Sequence, residues 1–341
     1  MPKELICPEP LKLAWRDYEE PPLQTGQVRI RCEFGAAKHG TELSIFKGYG
    51  NLRGRFDVQK GMHVREQPSH PYPWRPGNMN VGTVVEVGEG VTQLAAGDRV
   101  LCYGPFRQTQ VVHENSCWKL PATMSWKSAV CLDPADFALG AVRDGNVRLG
   151  DAVAVFSLGA IGLMAVQLLR LAGAALIIAV DPLALRRQIA LELGADVALD
   201  PTACDAGAEI RRLTDWRGAD VVIEYSGATQ AMQDALRGVA FGGTVVAGAY
   251  PPPYGAGLDF GAEAHLNRPH IVFSRACSEP NRDHPRWNEK RLYATAFRWL
   301  VEGRLRGDLI VQPVVRFEEL LTAYPKIAND ATSMIKLGVA Y

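Results

Sequence analysis

At 341 residues the chain is too long for one typical core and right for two domains. Its 37 basic side chains balance 37 acidic ones, which argues against a nucleic-acid or membrane-surface partner, and a hydrophobic fraction of 47% suits a compact soluble protein. The opening MPKELICPEP has no signal-peptide core, so a cytoplasmic location is expected, and 7 cysteines with no CxxC pair read as reduced thiols.

The N-terminal part reads as β-rich. Gln27 to Phe34 alternates like a half-buried strand. Val81 to Val87 and Arg99 to Tyr103 look similar, with turns at Gly88-Glu89-Gly90 and Gly97-Asp98. From Ala135 the pattern changes to helices alternating with short apolar strands, the mark of a parallel α/β sheet.

The segment Asp151 to Asp181 is the most informative. Val153 to Phe156 reads as a strand, Ser157-Leu158-Gly159-Ala160-Ile161-Gly162 as a glycine turn, Leu163 to Leu171 as a helix ended by Gly173, and Leu176 to Val180 as a second strand ending at Asp181. A glycine at 159 lets backbone approach a pyrophosphate, Gly162 lets helix pack on strand, and the helix N-terminus offers N–H groups to phosphate. Asp181 follows at about the ~20-residue spacing expected of the acid that accepts the ribose hydroxyls. Ser157 stands where the usual fingerprint has its first glycine.

Further along, Leu183 to Leu193 and Ala228 to Val239 read as helices. Strands are expected at Val197–Leu199, Val221–Tyr225, Thr244–Ala249 and Ile271–Ser274, which completes a six-stranded doubly wound parallel sheet. The tail alternates again: a helix from Arg291 to Glu302, a strand at Val311–Val315, a helix from Phe317 to Ile327 and a strand at Met334–Val339. The expected division is a first domain of 1–134 with 275–341 and a dinucleotide-binding domain of 135–274.

This arrangement resembles the medium-chain dehydrogenase/reductase (zinc alcohol dehydrogenase-like) superfamily over nearly the whole chain. Gly40-Thr41-Glu42 sits where that family has Cys-Gly-Thr-Asp, and Pro76 to Gly82 where it has Gly-His-Glu before a strand. Val87-Gly88 and Gly97 to Val100 match its barrel turns, Leu132-Asp133-Pro134 its Glu-Pro pair, and Glu224 to Gly227 its turn after a later strand. The resemblance implies a GroES-like β-rich catalytic domain, a Rossmann domain, a small-molecule substrate, and a homodimer or homotetramer. The positions of the family's catalytic-zinc ligands are His39, Asn78 (with Met79 beside it) and Asp133 here. An Asn carbonyl is a poor zinc ligand, so no catalytic metal is expected. The family's four-cysteine loop is absent between Cys102 and Trp118, and the GTE motif also resembles the bacteriochlorophyllide dehydrogenase-like branch.

With no metal, some group must take the alcohol proton. His39 suits that task, Asp133 is placed to orient it, and Thr41 offers a hydroxyl relay that Ser44 could extend. Glu42 is read as orienting its neighbours or pairing with an arginine. The cofactor set is Ser157, Gly159, Ala160, Ile161, Gly162, Asp181, Arg186, Ser226, Gly248, Ala249, Ser274 and Lys336, the last expected to reach the pyrophosphate. Asp181 repels a 2′-phosphate and favours NAD over NADP, while Arg186 and Arg187 pull the other way. The segment Tyr49 to Arg75, with Arg53, Arg55, Lys60, His63, Arg65, His70 and Arg75, reads as a solvated loop or oligomer contact. Alternatively it is a lid in which Tyr72 and Trp74 stack on a sugar ring. The function expected is an NAD-dependent oxidoreductase interconverting a secondary alcohol and a ketone on a polyol- or sugar-like substrate. The rivals are an NADPH-dependent quinone or enone reductase, a cofactor-binding protein without catalysis, and a dehydrogenase with an atypical zinc site.

Overall fold

The computed structural model describes the chain apart from Leu52, residues 67–71 and Ala331, and apart from the side chains of His39 and Asn51. It divides into two compact units, Met1–Val130 with Val311–Tyr341, and Cys131–Ile310.

The first unit opens with a hairpin, β1 (Lys3–Glu9) and β2 (Lys12–Asp17). The long strand β3 (Gln27–Ala36) leads to a short helix, α1 (His39–Phe46). A small hairpin, β4 (Arg55–Asp57) and β5 (Met62–Val64), precedes β6 (Met79–Val87), β7 (Arg99–Tyr103), β8 (Thr109–His113), β9 (Cys117–Lys119) and helix α2 (Trp126–Ala129). Strand β3 pairs antiparallel with both β6 and β8, and its inward residues Val28 and Ile30 are fully buried with Val84, Val100 and Cys102. Their alternation in the sequence follows from the side chains of a strand pointing to opposite faces, and on the other face Arg29 is buried through its pairing with Glu86.

The second unit starts with α3 (Leu132–Asp144). Then strands and helices alternate: β10 (Ala152–Phe156), α4 (Ala160–Ala172), β11 (Leu176–Val180), α5 (Ala184–Glu192), β12 (Val197–Leu199), α6 (Ala206–Leu213), β13 (Ala219–Glu224), α7 (Thr229–Gly238), β14 (Val239–Ala247), α8 (Glu263–Asn267), β15 (His270–Phe273) and α9 (Glu289–Val301). The strands form a six-stranded parallel sheet in the order β12-β11-β10-β13-β14-β15. The chain reverses direction between β10 and β13, the switch point at which such sheets bind ligands. All five residues of β10 are buried, since a central parallel strand is covered on both faces. Helix α4 ends on Gly173 at φ +82°, a left-handed position that glycine adopts without steric cost.

The chain then returns to the first unit through β16 (Val311–Arg316), α10 (Leu320–Asn329) and β17 (Lys336–Ala340), with β17 antiparallel to β3. The return comes at Val311, later than the expected 275, because α9 packs against α3 and belongs to the second unit. All seven cysteines are free thiols. Among the described residues no helix is long and apolar enough to cross a membrane.

Candidate active site

In the second unit the expected cofactor residues collect at one edge of the sheet. The turn from Ser157 to Gly159 follows β10, Asp181 follows β11, Ser226 follows β13, Gly248 and Ala249 follow β14, and Ser274 follows β15. The carboxyl ends of parallel strands therefore hold these residues, while Arg186 lies in α5 and Lys336 in the first unit.

The turn itself is built by sterics. A side-chain carbon on Gly162 would lie 1.9 Å from the Ser157 carbonyl oxygen, so only glycine lets α4 sit this close to the strand. A carbon on Gly159 would meet nothing within 4 Å, which leaves open space above the backbone. Ser157 holds φ +72°, a left-handed conformation that ordinarily costs a non-glycine residue about 1–2 kcal/mol. The sequence marked Ser157 as a departure from the fingerprint; the structure shows that the departure keeps the glycine's backbone. The first N–H groups of α4, from Ala160 onward, have no acceptor within the helix, and no side chain caps them. Open space, free donors and the positive end of a helix dipole are what a pyrophosphate requires.

Asp181 is 2% exposed and already engaged. One carboxylate oxygen accepts from Leu158 N at 2.8 Å, the other from Leu183 N at 2.9 Å. Each oxygen keeps a further lone pair beyond these bonds. Arg186 Nη1 lies 3.6 Å from the same carboxylate, and Arg187 donates to the Asp181 carbonyl at 2.8 Å while pairing with Asp200 at 3.0 Å. The acid thus locks the turn to the end of β11, and a guanidinium offsets part of its charge.

Glu224, at the end of β13, shapes the neighbouring turn. Its carboxylate accepts from Ser226 N at 2.5 Å, from Gly227 N at 3.0 Å and from the Ser226 hydroxyl. Burial pushes its carboxyl above the ordinary range, with these bonds opposing the rise. The sequence offered no reason to single it out beyond its place after a strand. Gly248 approaches the Tyr225 ring so closely that an added carbon would be 2.4 Å away.

In the first unit, His39 opens α1, and its side chain lies outside the described residues. Thr41, two residues on, is exposed, and its hydroxyl makes no hydrogen bond among the described residues. Ser44 does not extend a relay from it: the Ser44 hydroxyl donates to the Thr41 carbonyl at 2.7 Å, the ordinary back-bond of a helical serine. Glu42 is the buried organiser. It accepts from Lys38 N at 2.5 Å, from Gly77 N at 3.2 Å and from the Tyr324 hydroxyl at 2.9 Å, so it ties α1 to the strand entry at Gly77 and to α10. Burial raises its carboxyl above the ordinary range, and the charge of Lys336 works against the rise. Its three donors make Glu42 the group that orients its neighbours, one of the two roles expected of it. Gly77, at φ +110°, has no room for a side chain, since an added carbon would sit 2.4 Å from Phe106 N.

Asn78, at the family's histidine position, has its Nδ2 buried without an acceptor, and Met79 beside it is fully buried in the sheet. Asn80 was missed by the sequence reading. Its amide donates to Gly104 O at 2.8 Å and accepts from the Tyr341 hydroxyl at 2.9 Å, which pins the chain's last residue. Lys336 is 2% exposed and donates to Ala37 O at 2.7 Å, so its ammonium is committed inside the first unit rather than displayed for a pyrophosphate. Tyr72 and Trp74 pack against the core around Leu5, Phe106 and Leu337, and Trp74 pairs with Cys7 through both backbone groups. Both side chains are part-buried there, packed on that core. His70 lies outside the described residues. Asp133 is buried in the first turn of α3, in the second unit. Among the described residues no three His, Cys, Asp or Glu side chains gather as a metal cage.

The comparisons with known proteins agree with this geometry. An alcohol dehydrogenase GroES-like domain model matches residues 24–136, and a zinc-binding dehydrogenase model matches residues 160–284. A D-guloside 3-dehydrogenase of Escherichia coli (strain K12) is 42% identical over 354 residues, covering 99% of this chain and 100% of the relative. The chain belongs to the medium-chain dehydrogenase/reductase superfamily, the zinc alcohol dehydrogenase-like proteins. An (R,R)-butanediol dehydrogenase of Bacillus subtilis (strain 168) is 31% identical over 278 residues, covering 73% of this chain and 75% of the relative. The crystal structure of 2R,3R-butanediol dehydrogenase from Bacillus subtilis shares the fold, with a TM-score of 0.79 at 23% identity over 100% of both chains. As a member of this superfamily the chain is an alcohol dehydrogenase-type oxidoreductase that takes a nicotinamide dinucleotide and a small-molecule substrate.

Proposed function

We propose that the chain is an NAD-dependent oxidoreductase that interconverts a secondary alcohol and a ketone on a polyhydroxylated, sugar-like substrate. The observation that carries this reading is the full-length likeness to a protein named for oxidation at one ring position of a guloside. The dinucleotide turn and Asp181 supply its physical support.

NAD, when bound, accepts the hydride. The chain's own residues do the rest. The α4 N-terminus and Gly159 hold the pyrophosphate, and Asp181 accepts the ribose hydroxyls, with Arg186 beside it softening the rejection of a 2′-phosphate. Ser226, Gly248, Ala249 and Ser274 border the nicotinamide. His39 takes the alcohol proton, Thr41 relays it, and Asp133 orients the histidine. No step runs through zinc, because the donor at the family's histidine position is an Asn amide. A cytoplasmic homodimer or homotetramer remains part of this reading.

The test is steady-state oxidation of a panel of glycosides, sugar alcohols and simple secondary alcohols with NAD and with NADP, the product identified as a ketone. The reading expects a higher kcat/KM with NAD and with the polyhydroxylated substrates. A preference for NADP of about tenfold, worth ~1.4 kcal/mol, would overturn the cofactor assignment. Turnover confined to quinones or enones would overturn the reaction.

A further inference from the structure

Helix α5 begins with its charges reversed from the favourable order. Arg186 and Arg187 stand near its start and its first turn holds no acid, although the positive end of a helix dipole opposes cations. Carboxylates at two neighbouring strand ends offset them. Arg186 faces Asp181 after β11, and Arg187 Nη2 pairs at 3.0 Å with Asp200 after β12. The Arg187 guanidinium also donates to the Asp181 carbonyl at 2.8 Å, and Asp181 N donates to Leu199 O at 3.2 Å. Arg187 thus bridges the carboxyl ends of β11 and β12, bonded to the backbone of the residue that sits at the ribose position.

Asp200 is held in place from its own side as well. One of its carboxylate oxygens accepts from Thr202 N at 2.9 Å and from the Thr202 hydroxyl at 2.6 Å, and the other meets Arg187. The Thr202 bonds, with the Arg187 charge added, keep the Asp200 carboxyl below the ordinary range, so it is ionised at neutral pH. The pair remains within reach of a ligand, since the Arg187 and Asp200 side chains keep 20% and 26% of their surface. In dinucleotide-binding sheets an arginine beside the ribose acid is what accommodates a 2′-phosphate, because a guanidinium donates to phosphate oxygens in pairs. Here a carboxylate already takes the donors that such a phosphate would use.

We infer that Asp200 is a cofactor-specificity residue, which denies a 2′-phosphate the Arg187 guanidinium and places a second negative charge near Asp181. It acts through Arg187 and touches no part of NAD. The inference rests on the NAD reading above and names a residue that enforces it.

Fluorescence titration of NADH and of NADPH into the purified full-length protein, into Asp200→Asn and into the double variant Asp200→Asn, Arg187→Met tests it. The amide keeps an acceptor for Thr202, and Asp200→Ser does the same should the asparagine variant fail to fold. The wild type is expected to bind NADH more tightly than NADPH. In Asp200→Asn, NADPH affinity should rise about tenfold or more while NADH affinity stays within about threefold, as release of one arginine to a phosphate requires. The double variant should lose that gain. A wild type that prefers NADPH overturns the NAD reading and this inference together. A wild type that prefers NADH, with NADPH affinity in Asp200→Asn unchanged, overturns the inference alone, and so does a gain that persists without Arg187.

Discussion

From Ser157 to Asp181 the second unit holds its chemistry with backbone: a left-handed Ser157, a Gly162 with no room for a side chain, and N–H groups of Leu158 and Leu183 bonded to one carboxylate. Around α1 the first unit holds its chemistry with side chains from far along the chain. Glu42 meets Tyr324 across 282 positions, Asn80 meets Tyr341 across 261, and Lys336 meets Ala37 across 299. The first arrangement tolerates changes that keep the backbone path, as Ser157 demonstrates. The second depends on each partner being present, because a buried polar group left without one costs about 1–3 kcal/mol.

Replacing Gly162 with Val attacks the backbone-held site at its tightest point. With a carbon already 1.9 Å from Ser157 O, strand and helix must part, at a cost of about 3 kcal/mol or more. NADH binding should vanish by fluorescence titration; an affinity within threefold of wild type would show that close packing of α4 does not set the site.

His39→Ala probes the side-chain site. Turnover should fall by ~10²-fold or more with NADH affinity intact, as loss of a general base requires. A fall of less than threefold removes His39 from the chemistry.

Glu42→Gln tests the long-range ties and carries a pH signature. Burial raises the Glu42 carboxyl in the folded chain, so the unfolded chain ionises first as pH rises. Stability contributed by the protonated carboxyl is present below the ordinary carboxylate range and is lost as pH rises through the raised value. The glutamine cannot titrate, and it leaves one of the three donors unmatched, at about 1–3 kcal/mol. Urea midpoints at about pH 4 and about pH 8 should therefore show the variant's deficit shrinking at the higher pH. A deficit that does not change with pH contradicts the buried, raised carboxyl.

The smallest effect expected is from Ser157→Gly. It relieves a left-handed serine but loosens the unfolded chain, for a net gain of about 1 kcal/mol or less in thermal unfolding, with NADH binding unchanged. A loss of stability would mean that the serine side chain makes a contact worth more than the strain.

The same contrast explains what the sequence disclosed. The six parallel strands, the glycine turn and Asp181 lie within short spans where periodicity and spacing are direct consequences of backbone geometry. The hairpin of β1 and β2, the short β8 and β9, and the burial of Lys336 gave no such signal, since each is fixed by pairing with distant segments. Tyr72 and Trp74 offered rings for a sugar, and their packing against a core assembled from both ends of the chain depends on distant segments that the local sequence does not show. Ser44 and Lys336 had the right chemistry for the roles expected of them, but their hydrogen bonds go elsewhere.

The central claim is that hydride leaves for NAD while the chain's own residues, and no metal, take the proton. The direct measurement is kcat on a glycoside substrate with NAD, before and after exhaustive chelation, with zinc content read by elemental analysis. The account predicts full turnover in zinc-free protein. Activity lost on chelation and restored by one equivalent of zinc would contradict it.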